Sequence, residues 1–360
     1  MTQKRIDELD KNLQVETSTA TGLHWVSASD PRFTMRGLAW WSSNDGRFSR
    51  LPLRSESLVR EPVWQLAQCP ASACLDFRSD TTDLAVRVTN ADTYVMPHMP
   101  ASGSNGLILY TRVAGQFHPW RTVVPDQEHA SFERDLFRDQ PACLRDFRLY
   151  LPLYKSLLSL NLGVSPDSQI LPPAPLQIDK PVVFYGTSIT QGGCASTAGA
   201  DFVSTVGRLL NLEVVNLGFS GNGRGEAEIA HLIAEIDASL FVLDYVANTD
   251  IDGLRNTLPR FIEILRAAHP QTPILLQGPL SYGGQWTAPH VVEQRAIMMD
   301  AYLRCRERGD GQIHFVDGFS LIPFGTDAAY VDGVHPTDHG FQVLAERLAP
   351  MIAQILYQRQ

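Results

Sequence analysis

Five short apolar runs, with helix-like stretches between and after them, dominate the second half of this chain and leave it few folds to adopt. Val182–Tyr185, Glu213–Leu217, Leu240–Asp244, Ile274–Gln277 and Ile313–Val316 are strand-like; the first, a continuous apolar run broken by Gly186, reads as a strand buried on both faces. Between them lie helix-like segments at Asp201–Leu210, Gly225–Ile236, Leu258–Ala268 and Pro289–Arg308, and Asp338–Tyr357 closes the chain as an amphipathic helix. Pro259, with Thr257 before it as an N-cap, marks the start of the third of these helices. Strand and helix in alternation predict a parallel sheet covered by helices on both faces.

The first half has a different texture. Residues 1–20 form a polar lead-in, and from about Gly22 to Val164 the pattern is all-β. Leu75–Ser79, Leu84–Val88, Leu107–Val113 and Leu157–Gly163 are short runs separated by turn-rich pieces such as Ser102-Gly-Ser-Asn-Gly106. Short strands without helices between them imply a β-sandwich or jelly roll. Ser165 to Pro181 holds Pro166, Pro172, Pro173, Pro175 and Pro181, which disfavour helix and mark a linker. The reading is a β-sandwich (jelly-roll-like) accessory domain with its linker over 1–175 and an α/β domain over 176–360; 360 residues are long for one domain and natural for two.

Charge and composition exclude several classes. The net charge of -9, with no long basic run, argues against a nucleic-acid binder. No segment approaches the roughly 20 apolar residues that cross a bilayer, and the charged start lacks the apolar core of a signal peptide; the expectation is a cytoplasmic protein that neither spans nor binds membrane. The five cysteines, Cys69, Cys74, Cys143, Cys194 and Cys305, are odd in number and scattered, as reduced thiols are; a Cys69–Cys74 disulfide has no support. No Cys/His cluster has zinc-ligand spacing, and neither a metal nor any other cofactor is expected.

The chemistry gathers at strand ends, where open α/β sheets place their reactive groups. Gly186 breaks the first run, and Thr187, Ser188 and Thr190 follow it. Alone they read as turn or N-cap residues. Far along the chain, Asp332-Gly-Val-His335 stands between the last strand and the last helix. A serine hydroxyl needs a base, histidine titrates near working pH, and a carboxylate on the same loop holds the imidazole in one tautomer. His339, without a carboxylate at that spacing, reads as structural. Two further loops supply donors for an oxyanion. Asn216-Leu-Gly-Phe-Ser-Gly221-Asn-Gly exposes backbone N–H groups, and Asp244-Tyr-Val-Ala-Asn248-Thr-Asp offers a side-chain amide; read singly, these are turn glycines and a cap.

Together the four segments resemble the SGNH (GDSL-type) hydrolase family. Gly186-Thr-Ser188-Ile-Thr190 resembles its first block, with Thr187 where the family name has Asp. Ser220-Gly221 resembles the glycine block. Asn248 resembles the asparagine block, although Gly-x-Asn-Asp is here Val246-Ala-Asn248-Thr249, and Asp332-x-x-His335 matches the last. The likeness covers residues 181–357. It implies a three-layer, flavodoxin-like hydrolase domain with Ser188 as nucleophile, His335 as base and Asp332 as its orienter. It also implies an oxyanion hole made by the Ser188 and Gly221 N–H groups and the Asn248 side chain. Gly37-Leu-Ala-Trp-Trp41, Gly106-Leu-Ile-Leu-Tyr110 and Tyr150-Leu-Pro-Leu-Tyr154 resemble the β-sandwich domain that precedes one branch of these hydrolases, similar to carbohydrate esterases and to a few natural-product acyltransferases. Tyr282 and Trp286, on a glycine-containing loop after the fourth strand, and Trp40 and Trp41 in the first half are weaker candidates for substrate walls. The function expected is a serine esterase acting on a small-molecule ester, such as an acetylated carbohydrate, with no nucleic-acid partner. The alternative is an acyltransferase using the same acyl-enzyme. A carbohydrate-binding module on a degenerate hydrolase is disfavoured by the intact Ser188, Asp332 and His335. The sequence leaves oligomeric state open.

Overall fold

The structure, a computed structural model, describes residues 4, 6–10, 14, 15, 18 and 21–357. A short helix α1 (Ile6–Leu9) precedes the β unit, whose strands are β1 (His24–Ser27), β2 (Thr34–Arg36), β3 (Cys74–Ser79), β4 (Leu84–Asn90), β5 (Leu107–Val113), β6 (Gln116–Val123), β7 (Ser131–Phe137), β8 (Arg145–Tyr150), β9 (Leu157–Val164) and β10 (Ile170–Leu171). Two antiparallel sheets result, one ordered β1-β9-β4-β7, the other β10-β3-β8-β5-β6 with β2 also on β3. Their inward residues make one core: Leu75, Phe77, Val86, Val88, Leu107, Leu109, Phe147, Leu149, Leu160 and Leu162 among them. This region is not purely β, since helices α2 (Glu61–Ala67) and α3 (Ala101–Ser104) interrupt it.

The second of these sheets is covered on its outer face too. Cys74, Ile108, Tyr110 and Tyr150 point away from the sandwich core and pack with Ala198 of the second half. That double burial is why the run Leu107–Tyr110 alternates so poorly in the sequence. The proline-rich segment is tied to both halves. Its Ile170 and Leu171 add β10 to the edge of β3, the Pro172 carbonyl accepts Arg78 Nε at 2.8 Å, and Gln177 N–H donates to Asn211 at 3.0 Å.

The second half contains α4 (Ser188–Gln191), α5 (Phe202–Leu210), α6 (Ala227–Ile233), α7 (Ile251–Ala268), α8 (Pro289–Glu307) and α9 (Asp338–Tyr357) around strands β11 (Val182–Gly186), β12 (Val214–Gly218), β13 (Leu240–Asp244), β14 (Ile274–Gln277) and β15 (Ile313–Val316). All five strands are parallel, in the order β12-β11-β13-β14-β15, which is the flavodoxin-like order. Successive side chains of a strand face opposite ways, and here both ways are cores. Val183, Tyr185, Val215, Leu217, Phe241 and Leu243 meet α6 and α7. Val182, Phe184, Val214, Leu240 and Val242 meet α5 and α9.

One helix start differs from the sequence reading. The third long helix begins not near Pro259 but at Ile251, because Asp250 caps it by accepting Gly253 N–H at 2.7 Å. Thr257, expected to cap, instead bonds back to the Gly253 carbonyl within the helix, at 2.8 Å, and Pro259 lies in the interior. Among the described residues no helix is long and apolar enough to cross a membrane, and all five cysteines are free thiols.

Candidate active site

β11 ends at Gly186, where a Cβ would overlap the Thr190 hydroxyl; glycine lets the chain fold back on its own strand. Thr187 then caps α4. Its side chain accepts Ile189 N–H, and its own N–H donates to Thr190 Oγ1 at 3.3 Å, forming a capping box. A threonine thus does at position 187 what an aspartate N-cap would do. Ser188 becomes the first residue of α4, 8% exposed, its N–H without a helical partner.

The loop after β15 brings the base. Asp332 Oδ1 accepts two backbone N–H groups, from Val334 at 3.0 Å and His335 at 2.8 Å, which bends the loop tightly. Gly333, at φ 85°, occupies the left-handed conformation this bend requires. Asp332 Oδ2 lies 2.7 Å from His335 Nδ1, and His335 Nε2 lies 2.8 Å from Ser188 Oγ. With the carboxylate ionised, Nδ1–H donates to it and Nε2 is left to accept the serine proton. Partial burial raises the Asp332 carboxyl, but the His335 backbone and ring and the Val334 N–H outweigh it and hold the group down at about 2. The three residues named from the sequence are therefore in one hydrogen-bonded row.

Strand register fixes what stands beside Ser188. Gly186 pairs with Gly218 on one side and with Asp244 on the other, so the loops after β12 and β13 emerge on either flank of the nucleophile turn. Gly221, on the first loop, has φ 67° and nothing within 4 Å of where a Cβ would stand; among the described residues its N–H has no partner. Asn248, on the second, ends a single 3-10 turn. Its Oδ1 is buried with no partner among the described residues, so the altered sequence around it, Ala247 and Thr249, leaves that end of the amide unbraced.

Of the four wall candidates, Trp286 is the exposed one; Trp41 is half-buried, and Tyr282 and Trp40 are buried. Trp286 is 38% exposed and meets Phe324, 67% exposed, edge to face with ring centroids 4.4 Å apart. Its loop is joined to the His335 loop by Gly283 N–H donating to the Gly333 carbonyl at 2.7 Å. Tyr282 is buried on the α5–α9 side of the sheet; burial pushes its phenol up, with Asp244 and Tyr330 adding to this. Trp40 and Trp41 pack against hydrophobic cores. Trp40 packs in the core on α6, its Nε1 donating to Glu235 at 3.2 Å, and Trp41 packs on Phe48. Their adjacency to polar turn residues gave no hint of which half they would fill. His339 is exposed on α9.

The sequence reading missed residues that the fold brings here from afar. His98, from the first half, has its ring 6.3 Å from that of His335. Tyr154 Oη donates to the Ser188 carbonyl at 3.3 Å. Beneath α4, Thr190 Oγ1 donates to Asp244 Oδ2 at 2.9 Å; burial pushes this carboxyl up to about 7 although the threonine bond favours its ionised form. His98, Cys194 and Asp332 present potential ligand atoms all within 4.8 Å of one another. The Cys194 thiol is pushed up to about 11, first by burial and then by Asp332, and a cation there would compete with His335 for the carboxylate.

The family model for the GDSL-like lipase/acylhydrolase family matches residues 179–353, and that for the N-terminus of SGNH-hydrolase-type esterases matches residues 23–170. The chain belongs to the SGNH (GDSL-type) hydrolase family, in the branch with an N-terminal β domain. It is a serine ester hydrolase of that type. A GDSL-like lipase from Bacteroides ovatus is 28% identical, with a TM-score of 0.84 over 93% of this chain and 98% of its own. The salicylyl-acyltransferase SsfX3 of a tetracycline biosynthetic pathway has the same fold at 21% identity, TM-score 0.74, with 93% and 98% covered. A family two carbohydrate esterase from Clostridium thermocellum, solved with cellohexaose, shares it at 15% identity and TM-score 0.59, with 79% and 93% covered. No curated protein matches the chain.

Proposed function

We propose that this SGNH hydrolase cleaves small acyl esters, acetylated carbohydrates among them, through an acyl-enzyme on Ser188. The observation that carries the reading is the unbroken row Ser188 Oγ–His335–Asp332, at 2.8 and 2.7 Å. Ser188 Oγ attacks the ester carbonyl while His335 Nε2 takes its proton. The charge passing to the carbonyl oxygen meets the Ser188 and Gly221 N–H groups and the Asn248 amide, donors that lie on the nucleophile turn and the two loops flanking it. His335 then returns the proton to the departing alcohol oxygen. In the second half-reaction it activates the water that releases the acid, while Asp332 stabilises the imidazolium throughout.

The sugar-ester substrate is supported by the Trp286–Phe324 pair. Two exposed aromatic rings, one of them on the loop that Gly283 ties to the His335 loop, suit the apolar face of a sugar ring. The test is a panel of acyl esters and acetylated sugars, with and without added alcohols, run on wild type and Ser188→Ala. Hydrolysis of the esters, its loss in the alanine variant, and fluorophosphonate labelling at Ser188 are expected. Retained activity or equal labelling in Ser188→Ala refutes the nucleophile; turnover that requires an added alcohol makes the protein an acyltransferase.

A further inference from the structure

The Ser220–Gly221 loop is held by more than its own strand. Gln191, the last residue of α4, is completely buried, and its side-chain amide is engaged at both ends. Oε1 accepts Ser220 N–H at 3.0 Å, and Nε2 donates to the Leu153 carbonyl at 3.2 Å. The two partners also fix which end is which: turned over, the amide would set oxygen against carbonyl and NH₂ against N–H. Leu153 comes from the β unit, in the segment after β8. That segment is anchored by Leu153 N–H to Gly103 (3.3 Å) and Tyr154 N–H to Ser104 (3.0 Å). Gly103 in turn sits so close to Ala195, beyond α4, that a Cβ would overlap the Ala195 carbonyl. Tyr154 Oη reaches the Ser188 carbonyl at 3.3 Å, with the Ser220 side chain beside it. Two adjacent residues of the first half therefore touch the nucleophile's own carbonyl and, through Gln191, the Phe219–Ser220 peptide, one peptide upstream of the Gly221 N–H.

Resting on the reading of Ser188 and Gly221 given above, we propose that Gln191 and Tyr154 are positioning residues of the oxyanion hole, with the Leu153 carbonyl as their reference point. A donor stabilises the transition state only where it is aimed at the oxygen that gains charge. Gly221 has no side chain and nothing within 4 Å of where a Cβ would stand; its carbonyl accepts Arg224 of the same loop, and its N–H takes its direction from the backbone on either side. The neighbouring Ser220 N–H is pinned by Gln191, and Gln191 is pinned by the β unit. Neither Gln191 nor Tyr154 touches the reacting atoms; they act through the loop and the turn.

Gln191→Met keeps the length of the side chain and removes both hydrogen bonds. With active sites counted by fluorophosphonate, its kcat per labelled site on a soluble aryl ester should fall about tenfold to a hundredfold, with KM within about twofold of wild type. Affinity for a trifluoromethyl ketone, whose hemiketal oxygen would occupy the same hole, should fall by the same factor as kcat/KM. Tyr154→Phe, which removes one oxygen, should show a several-fold drop of the same kind, and it decides the matter should Gln191→Met not fold. Wild-type kcat per labelled site, with only thermal stability lowered, overturns the inference and makes these residues merely structural. A wild type that the fluorophosphonate leaves unlabelled overturns the Ser188 reading and this inference with it, so the two failures are told apart.

Discussion

Asp332 divides its two oxygens between two tasks. Oδ1 folds the loop by accepting two backbone N–H groups, and Oδ2 orients the imidazole. In Asp332→Asn an amide oxygen can still serve the first task, whereas the second loses its charge and the tautomer it selects. The variant should therefore keep its melting temperature and lose about 10²–10⁴-fold in kcat; an equal loss of stability and activity would mean the carboxylate only holds the turn. Because Asp332 is held at about 2, it stays ionised well into acid, and an inhibition seen in weak acid belongs to another group. Asp244 is the opposite case. Its carboxyl is raised to about 7, against about 4 in an unfolded chain. Between those values the folded protein keeps a proton that the unfolded chain has lost, so this group's stabilisation is complete below about pH 4 and disappears as pH rises through about 7. Asp244→Asn, neutral at every pH, lacks that loss. Urea midpoints of variant and wild type should diverge in the variant's favour from pH 5 to pH 8; a constant difference would rule the argument out.

At the scale of elements, the end of β12 depends on a cation from the other half. Arg50 is fully buried without a carboxylate, and its guanidinium donates to four carbonyls: Cys69 at 2.6 Å, Leu66 at 2.8 Å, Asn216 at 3.0 Å and Gly218 at 2.6 Å. Burial lowers it to about 10, so it remains charged at neutral pH. Arg50→Met strands those acceptors and should destabilise by about 3 kcal/mol or more, read as a shift in the urea midpoint. Arg50→Lys should restore little, since an ammonium cannot span four acceptors in one plane. A methionine variant as stable as wild type would show that β12 needs no such clamp. These long-range ties mark the limit of what can be read from the chain. Ser188, Asp332 and His335 are legible because each follows a strand and two of them share a four-residue turn. Gln191 and Leu153, 38 residues apart, carry no local sign of their pairing. Trp40 shows the same limit: an aromatic in the first half reads first as sandwich core and only second as a pocket wall, yet it fills the core on α6. In the second antiparallel sheet, Leu75–Ser79 and Leu107–Val113 are legible by their apolar content, whereas β6, half polar and largely unburied, offers no such run.

For the molecule as a whole, the two halves share their interiors. Trp40, Leu51, Val63 and Ala67 belong to the core on one face of the parallel sheet, and Ala71, Met99 and Leu153 to the core on the other. Polar ties reinforce this: Arg36 and the Gly37 N–H both bind Glu213 at 3.1 Å, and Ser72 Oγ donates to Asp201 at 2.8 Å and accepts Asn216 Nδ2 at 2.7 Å. A fragment of residues 176–360 would expose all of these surfaces and lose the Leu153 carbonyl. It should be insoluble, or folded by circular dichroism but with kcat/KM on a small soluble ester far below wild type. A folded fragment with full kcat/KM would make the β unit a detachable tether. The engagement of Gln191 with Leu153 also sets a rule for recombination. An engineer who places this hydrolase half behind the β unit of a relative inherits a hole whose aim was set by a different backbone. The natural crossover point is then not the proline-rich segment, where the chain looks easiest to cut. It lies upstream of residue 153, so that this carbonyl and its partner on α4 travel in the same gene fragment.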